Sequence, residues 1–344
     1  MKQERLNELL DRFSSRRIAV LGDFFLDKYL EADPALAETS VETGKIAHQV
    51  AAIRAYPGAA GTVVNNLEAL GAKTLHAVGA VGDDGEGYDL RRGLHARGCS
   101  TDRLLAFDSL HTPTYLKPRN IAVPGLEGEF ERYDTKNRGR TPQAIIDKVI
   151  SALDGLLPEV DAVIIADQVE QDDCGVVTAS MRSAIAERAK KYPKVIFWAD
   201  SRTHIRLFRN VIIKPNQFEA VGHENPVPGE EVSLSRLREA LPKLRAETGA
   251  PVCVTRGEHG MIVSDPEVTV VPGVKLTGPT DPTGAGDSAT AGALLAFASG
   301  ATLPEAALVG CLVASITVQQ LATTGTATPA QVRERLEMWR SQNT

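Results

Sequence analysis

Long apolar runs are missing from this 344-residue chain. Nowhere do about eighteen apolar residues follow one another, the length a helix needs to cross a bilayer. The opening "MKQERLNELLDRFSSRR" is charged and amphipathic, unlike the apolar heart of a secretion signal, so a soluble protein is expected. Cysteine is scarce too: Cys99, Cys174, Cys253 and Cys311 stand far apart, with no CxxC and no Cys/His ligand spacing. That excludes the usual zinc sites and a disulfide framework, and fits a reducing cytoplasm. There is no excess of positive charge. The net charge is −6, which provides no electrostatic footprint for nucleic acid or an anionic membrane. Aromatic residues make up 5% of the chain and form no RNA-reading pattern. No GxxxxGK[ST] phosphate loop occurs, and no HExxH. The first strand-like run leads into "VLGDFF" rather than GxGxxG. The seven histidines, His48, His111, His204 and His259 among them, show no ligand spacing and read as surface or hydrogen-bonded residues.

What is present is an alternation. Runs rich in Val and Ile at 17–23, 74–83, 161–167, 194–200, 210–216, 251–257 and 260–264 read as buried parallel strands, apolar on both faces. Helical patterns fill the gaps at 59–71, 85–97, 142–157, 173–191, 232–248, 286–299 and 304–320. Strand alternating with helix predicts an α/β fold with a doubly wound, mostly parallel sheet flanked by helices. Ligands then sit beyond the carboxyl ends of the strands, where Asp23, Asp167, Asp200, Asn216 and Gly257 fall. Each of these reads equally well as a cap of the next helix. Two stretches, 28–57 and 108–135, break the alternation with β-branched residues, Pro and Gly among polar ones, and predict a small discontinuous β lid. The large domain would comprise 1–27, 58–107 and 136–344.

One stretch carries chemistry: "TDPTGAGDSATAGALLAF", Thr280 to Phe297. Small residues just before a helix leave backbone N–H groups bare, and with the positive end of the helix dipole these make an anion pocket. A carboxylate beside such a pocket makes sense when a substrate hydroxyl comes between them. Phosphoryl transfer has this geometry: the amides neutralise charge on the moving phosphoryl group and the carboxylate deprotonates the attacking hydroxyl. The bland alternative is an N-capped helix after a flexible turn.

"DPTGAGDSATAGAL" resembles throughout the C-terminal signature of the ribokinase-like sugar kinases, the PfkB family. "VLGDFFLDKYL" is similar to the family's opening strand, "YPGAAGTVVNNLEALGA" to its glycine-rich sugar-binding segment, "KPNQFE" to its Asn-x-x-Glu motif and "VTRGEHGM" to its second nucleotide-side turn. The resemblance covers nearly all of the chain after the N-terminal helix. Within the family, "GD-x-x-LD-x-Y", "VTR-x-E-x-GM" and the terminal "GTATPAQV" are most similar to the heptose-phosphate kinase branch.

The resemblance implies that Asp287 is the catalytic base and that the amides of Gly284, Ala285 and Gly286 form the anion hole. It implies nucleotide contacts from Asn216, Glu219, Thr255, Gly257 and Gly260, with Glu219 holding Mg²⁺ indirectly through its waters. Asp281 and Thr283 match positions that bind a monovalent cation, K⁺, in many members. On the acceptor side it implies Asp23, Asp27, Gly58 and Asn66; Thr62 stands where the family usually has Asn, and "SVETGKIAHQ" lacks the proline-rich form of the heptose branch. Lys117, Arg119 and Arg132 are cations of the lid stretch; Lys117 and Arg132 are assigned to an acceptor phosphate, and they read equally well as exposed basic residues on a lid strand. The expected function is ATP-dependent transfer of a phosphoryl group to a hydroxyl of a sugar or sugar phosphate, in a homodimer closed through the lid. The alternatives are a nucleoside or vitamin-precursor kinase of the same fold, and a non-catalytic sugar or nucleotide sensor.

Overall fold

Strands that are apolar on both faces can be buried only between two layers of helix, and this dictates the centre of the molecule. The computed structural model describes residues 1–124, 126–321 and 324–343. In chain order the strands are β1 (Arg17–Gly22), β2 (Phe24–Thr39), β3 (Ile46–Ala59), β4 (Thr74–Gly82), β5 (Cys99–Phe107), β6 (Thr114–Asn120), β7 (Tyr133–Thr135), β8 (Ala162–Asp167), β9 (Ile196–Ser201), β10 (Ile212–Ile213), β11 (Cys253–Thr255), β12 (Met261–Val263) and β13 (Thr269–Val271). The helices are α1 (Gln3–Asp11), α2 (Ala60–Ala69), α3 (Gly85–His95), α4 (Gln143–Leu156), α5 (Ala179–Lys191), α6 (Gln217–Ala220), α7 (Leu234–Thr248), α8 (Ala285–Ala298), α9 (Leu303–Thr317) and α10 (Pro329–Gln342).

The central sheet has the order β10-β9-β8-β1-β4-β5 and is parallel throughout. One face packs on α1, α2, α8 and α9, the other on α4, α5 and α7. Strand β5 escaped the sequence reading because Ser100, Asp102 and Arg103 interrupt its apolar pattern; it closes an edge of the sheet, where polar residues are tolerated. A second sheet, in the order β3-β2-β6-β7, joins segments from both irregular stretches. Its long hairpin begins at Phe24 and ends at Ala59, so the lid strands grow directly out of β1 and run directly into α2. Val41, Ile46, Ile53 and Leu36 stand exposed on it.

Two expectations need correction. The run 260–264 is not a further parallel strand: β12 pairs antiparallel with β11 and β13 in a three-stranded sheet, whereas 251–257 runs parallel beside the end of β10 through the bridges Ile213–Val252 and Asn216–Thr255. The short link through Gly257 and Gly260, both at positive φ, makes a tight turn and is far too short for a parallel crossover. The helix expected over 173–191 starts only at Ala179, capped by Thr178. Asp173 has φ 60°, and the preceding residues are held as a loop by side chains described below.

Helices α8 and α9 are buried nearly all round and pack closely through small residues. A Cβ on Gly310 would lie 2.8 Å from the carbonyl oxygen of Ala289, and one on Gly292 would lie 2.7 Å from Val313. The far end of α8 is gripped from the amino terminus. Arg5 donates to the carbonyl of Gly300 at 2.7 Å, Arg12 to that of Ser299 at 3.1 Å and Arg16 to that of Ala298 at 3.3 Å. Cations at this end also oppose the negative pole of the helix dipole. Among the described residues no helix is long and apolar enough to cross a membrane.

Because α9 sets the position of α8, and α8 begins at the Gly-Ala-Gly-Asp string, Gly310→Val tests how tightly that helix is held. We expect a stability loss of about 2 kcal/mol from overpacking, measured by chemical denaturation.

Candidate active site

The amino end of α8 opens with Gly284, which takes the left-handed conformation (φ 74°) and offers no side-chain cap. Four amides follow. That of Ala285 is engaged by the carbonyl of Pro282 at 3.0 Å. Those of Gly284, Gly286 and Asp287 have no hydrogen-bond partner among the described residues. The expected set 284–286 is therefore corrected: geometry leaves the amide of Ala285 occupied and that of Asp287 bare. Just upstream, Asp281 accepts from the amide of Thr283 at 2.9 Å, while its own amide donates to Val318 at 2.7 Å. This bends the chain into the helix and ties it to the end of α9.

Beneath these amides three carboxylates meet one buried cation. Lys214, 5% exposed, lies 3.0 Å from Asp200 at the end of β9, and Thr290 on α8 donates to the same Asp200 oxygen at 2.9 Å. A Cβ on Gly286 would lie 3.6 Å from the Lys214 ammonium. Asp287 is half-buried, and its carboxylate receives no hydrogen bond from the described residues. Desolvation, and then the charge of Asp200, push its pKa up to about 7, against the opposing pull of Lys214 and Arg202. Glu219 behaves alike: desolvation first and Asp200 next raise it to about 7, opposed by the Asn216 amide and Lys214. The ammonium of Lys214 is held above its ordinary value by Asp200, Asp287 and Glu219, which together outweigh its own desolvation. Perturbed groups packed this closely are a mark of functional sites.

Asn216 and Glu219 form a capping box on α6. The Asn216 side chain accepts from the amides of Phe218 and Glu219 at 2.8 and 2.9 Å, and Glu219 accepts from the amide of Asn216 at 2.6 Å. Asn216 bridges in parallel fashion to Thr255, which puts the β11–β12 turn with Gly257 and Gly260 beside it. Among the described residues no three His, Cys, Asp or Glu side chains are grouped to hold a metal ion directly. A hydrated cation held through Glu219 remains compatible with that, since one of its carboxylate oxygens is tied to a backbone amide and its charge is only weakly countered.

A separate pocket is lined by Asp23, Phe25, Tyr115, Lys136, Thr141 and Arg202. Asp23 is buried and accepts three backbone amides: Gln168 at 2.9 Å, Val169 at 3.3 Å and Val176 at 2.7 Å. Burial and the neighbouring Asp167 raise its pKa to about 6 despite them. Its oxygens thus hold the 168–176 loop. Asp27 pairs with Lys117 at 2.8 Å, and Gly58 lies so close that a Cβ would collide with the Asp27 carboxylate. Lys117 also reaches the hydroxyl of Tyr29 at 3.3 Å. Arg132 pairs with Asp134 at 2.7 Å and stacks 4.4 Å from the centre of the Tyr115 ring. Asn66 is different. It is fully buried, and its amide donates to the carbonyls of Thr62 at 3.0 Å and Gly325 at 3.3 Å. It ties α2 to the segment before α10 and does not line the pocket; the expected substrate contact is corrected to a structural one.

The family comparison fits this arrangement: residues 28–331 match the family model described as pfkB family carbohydrate kinase. The chain belongs to the pfkB family of carbohydrate kinases. Among curated relatives of this pfkB chain is the bifunctional protein HldE of Nitratiruptor sp., 30% identical over 322 residues, a stretch that covers 92% of this chain and 64% of that protein. The chain thus spans somewhat under two thirds of the length of that relative. Among solved structures, phosphofructokinase-2 from Escherichia coli in complex with fructose-6-phosphate aligns with a TM-score of 0.67 at 18% identity, covering 94% of this chain and all of that one. Arabidopsis thaliana ribokinase complexed with ribose and ATP aligns with a TM-score of 0.63 at 18% identity, covering 94% and 99%. At these identities the likeness is one of fold.

Lys214 and Arg202 are charged residues of this arrangement that the amino-acid pattern did not single out. Arg202 lines the pocket, and its charge is felt both by Asp287 and by Tyr115 on the lid sheet. Its position two residues after Asp200, just beyond the end of β9, was the available signal. The site electrostatics make a stability prediction with a definite sign. Asp287 titrates higher in the folded protein than its ordinary 3.8, so the native state loses stability as pH rises from about 4 to about 7. Asp287→Asn should therefore melt higher than wild type at pH 8, by a margin that shrinks at pH 5. Lys214→Met, which strands Asp200, should melt markedly lower at pH 8.

Proposed function

We propose that the protein transfers the γ-phosphoryl group of ATP to a hydroxyl of a sugar or sugar phosphate. The observation that carries this reading is the pairing of amides at Gly284, Gly286 and Asp287 with an Asp287 carboxylate, all without hydrogen-bond partners among the described residues, the carboxylate being raised to about 7. Amides alone would describe an anion site. The adjacent unengaged base adds the means to take a proton.

In the proposed reaction Asp287 accepts the proton of the acceptor hydroxyl as its oxygen forms a bond to the γ-phosphorus. The bond from that phosphorus to the β–γ bridging oxygen breaks, leaving ADP. The α8 amides hold the equatorial oxygens of the phosphoryl group as charge spreads over them. Asn216, Thr255, Gly257 and Gly260 would line the nucleotide, with Glu219 holding the waters of Mg²⁺; bound there, the ion neutralises phosphate charge. Asp281 and Thr283 would hold K⁺ beside the amides. A lysine placed among three carboxylates keeps Asp287 from rising so far that it would stay protonated at neutral pH.

Two cations line the acceptor pocket, Lys136 and Arg202; Arg132 lies over the ring of Tyr115, which is part of its wall, and Lys117 is paired with Asp27 on the same lid sheet. They support a phosphorylated acceptor, and the likeness to HldE together with the motifs of the heptose-phosphate branch favours a heptose phosphate. Asp27, set against Gly58, would accept hydrogen bonds from sugar hydroxyls. The exposed apolar residues of the lid sheet support closure by a second copy, a homodimer that mass measurement in solution would reveal.

ADP release in a coupled assay across sugars and sugar phosphates tests the reading directly. Asp287→Asn should lower kcat by about two orders of magnitude or more while leaving nucleotide affinity near wild type. Since the base must be ionised, wild-type kcat should rise with pH through an apparent pKa near 7. Near-normal turnover in the variant, or a rate flat from pH 5.5 to 8.5, would refute the base assignment.

A further inference from the structure

The pocket wall contributed by residues 168–176 is tied at its ends and in its middle by different means. Asp23 holds the amides of Gln168, Val169 and Val176, and Thr141 holds the carbonyl oxygens of Asp173 and Gly175, each at 2.8 Å. Between Val169 and Asp173, two contacts join the loop to the residues after β9. One is the exposed pair Arg202–Glu170 at 3.1 Å, of the kind that contributes little. The other passes through His204.

His204 is 8% exposed and lies between two carboxylates. Its Nδ1 is 3.2 Å from Asp167 at the end of β8, and its Nε2 is 2.9 Å from Asp172 in the loop. The Asp172 side chain is 84% exposed, but the ring it meets is 9% exposed, unlike either half of the Arg202–Glu170 pair, and the Thr203 hydroxyl lies 3.3 and 3.4 Å from the two ring nitrogens. Asp167, 2% exposed, is fixed by the Ser201 hydroxyl at 2.7 Å, and Ser201 also accepts the His204 amide at 2.9 Å. The ring is therefore anchored on the β8 and β9 side and reaches out to the loop. A neutral imidazole carries one N–H and one bare lone pair, so it can satisfy only one of two facing carboxylates; the imidazolium satisfies both.

We propose that His204 is a positioning residue for the acceptor pocket: its imidazolium clips the 168–176 wall onto the ends of β8 and β9, and loss of its proton releases the middle of that wall. The inference rests on the acceptor pocket proposed above. The charges facing the ring are Asp167 from β8, Asp172 from the loop and Arg182 from α5. The hydrogen bond to Asp167 holds the His204 pKa above its ordinary 6.5, Asp167 and Asp172 together outweighing desolvation and the repulsion of Arg182. The sign follows. The clip is fully present below 6.5 and is lost as pH rises through the elevated value. At the acid end Asp23, with its pKa of about 6, gives up its hold on the same loop as it takes a proton. The wall is then best closed in the window between the two.

The test combines acceptor kinetics with amide hydrogen exchange of residues 168–176 in unliganded protein from pH 6.5 to 9, corrected for the intrinsic pH dependence of exchange. In wild type, protection should fall and KM for the sugar-phosphate acceptor should rise about fivefold to tenfold across the range, with KM for ATP unchanged. His204→Gln should show low protection and high KM at every pH. Asp172→Asn is the diagnostic variant: an amide can donate to the bare Nε2 of a neutral ring, so closure survives at high pH and the limb disappears while KM stays low. Protection and KM that do not vary with pH in wild type, or an unchanged limb in Asp172→Asn, would overturn the proposal, as would protection that changes without any change in acceptor KM. If no sugar phosphate is turned over at all, the kinase reading fails, and the exchange data still decide whether His204 clips the loop.

Discussion

Three carboxylates converge on a single buried ammonium at the amino end of α8, and the rest of the site depends on how that charge is shared. Lys214 stands within 3.0 Å of Asp200 alone, yet Asp287 and Glu219 both feel it. With one cation among three acids, no carboxylate is fully compensated. Two of them settle near neutrality, where a proton can be taken up and given back. A fully paired cluster would be more stable and chemically inert. Uncompensated charge here is a cost that the surrounding core must carry.

That core is arranged to carry it. Asp200 and Lys214 come from the parallel sheet and its connection, Thr290 and Asp287 from α8, and Glu219 from the short capped helix α6. Each comes from an element fixed on at least one side by packing or capping. Helix α8 in particular is sealed against α9 by glycine and alanine contacts that leave it little room to slide. The acceptor side is built otherwise. There a loop forms one wall and a sheet with exposed apolar residues the other, and polar contacts such as those of Asp23, Asp27 and Thr141 do most of the holding. Rigid chemistry facing a more adjustable pocket suits an enzyme class that handles many different acceptors.

Much of this could be read in the amino-acid order. Runs such as "DAVIIAD" and "KVIFWAD" announce buried parallel strands because nothing polar interrupts them, and "GAGD" announces a helix start with bare amides because no residue there can cap. What stayed hidden follows a pattern. A polar edge strand such as β5 and a tight hairpin such as β11–β12 depend on neighbours that no local window contains. Lys214 reads as an ordinary lysine until the fold buries it beside Asp200. Asn66 reads as a ligand in a glycine-rich segment until α2 turns it inward, and Ala285 as an amide donor until Pro282 folds back on it. The role of His204 could not be inferred from its spacing, because its two partners lie 37 and 32 residues away in sequence.

The arginine ladder of Arg5, Arg12 and Arg16 has a practical side. It grips α8 at the end opposite Asp287, about 20 Å away along a fourteen-residue helix. The amino terminus is thus mechanically coupled to a rod whose other tip carries the proposed base. A purification handle or surface linkage fused there would tug on catalysis from a distance.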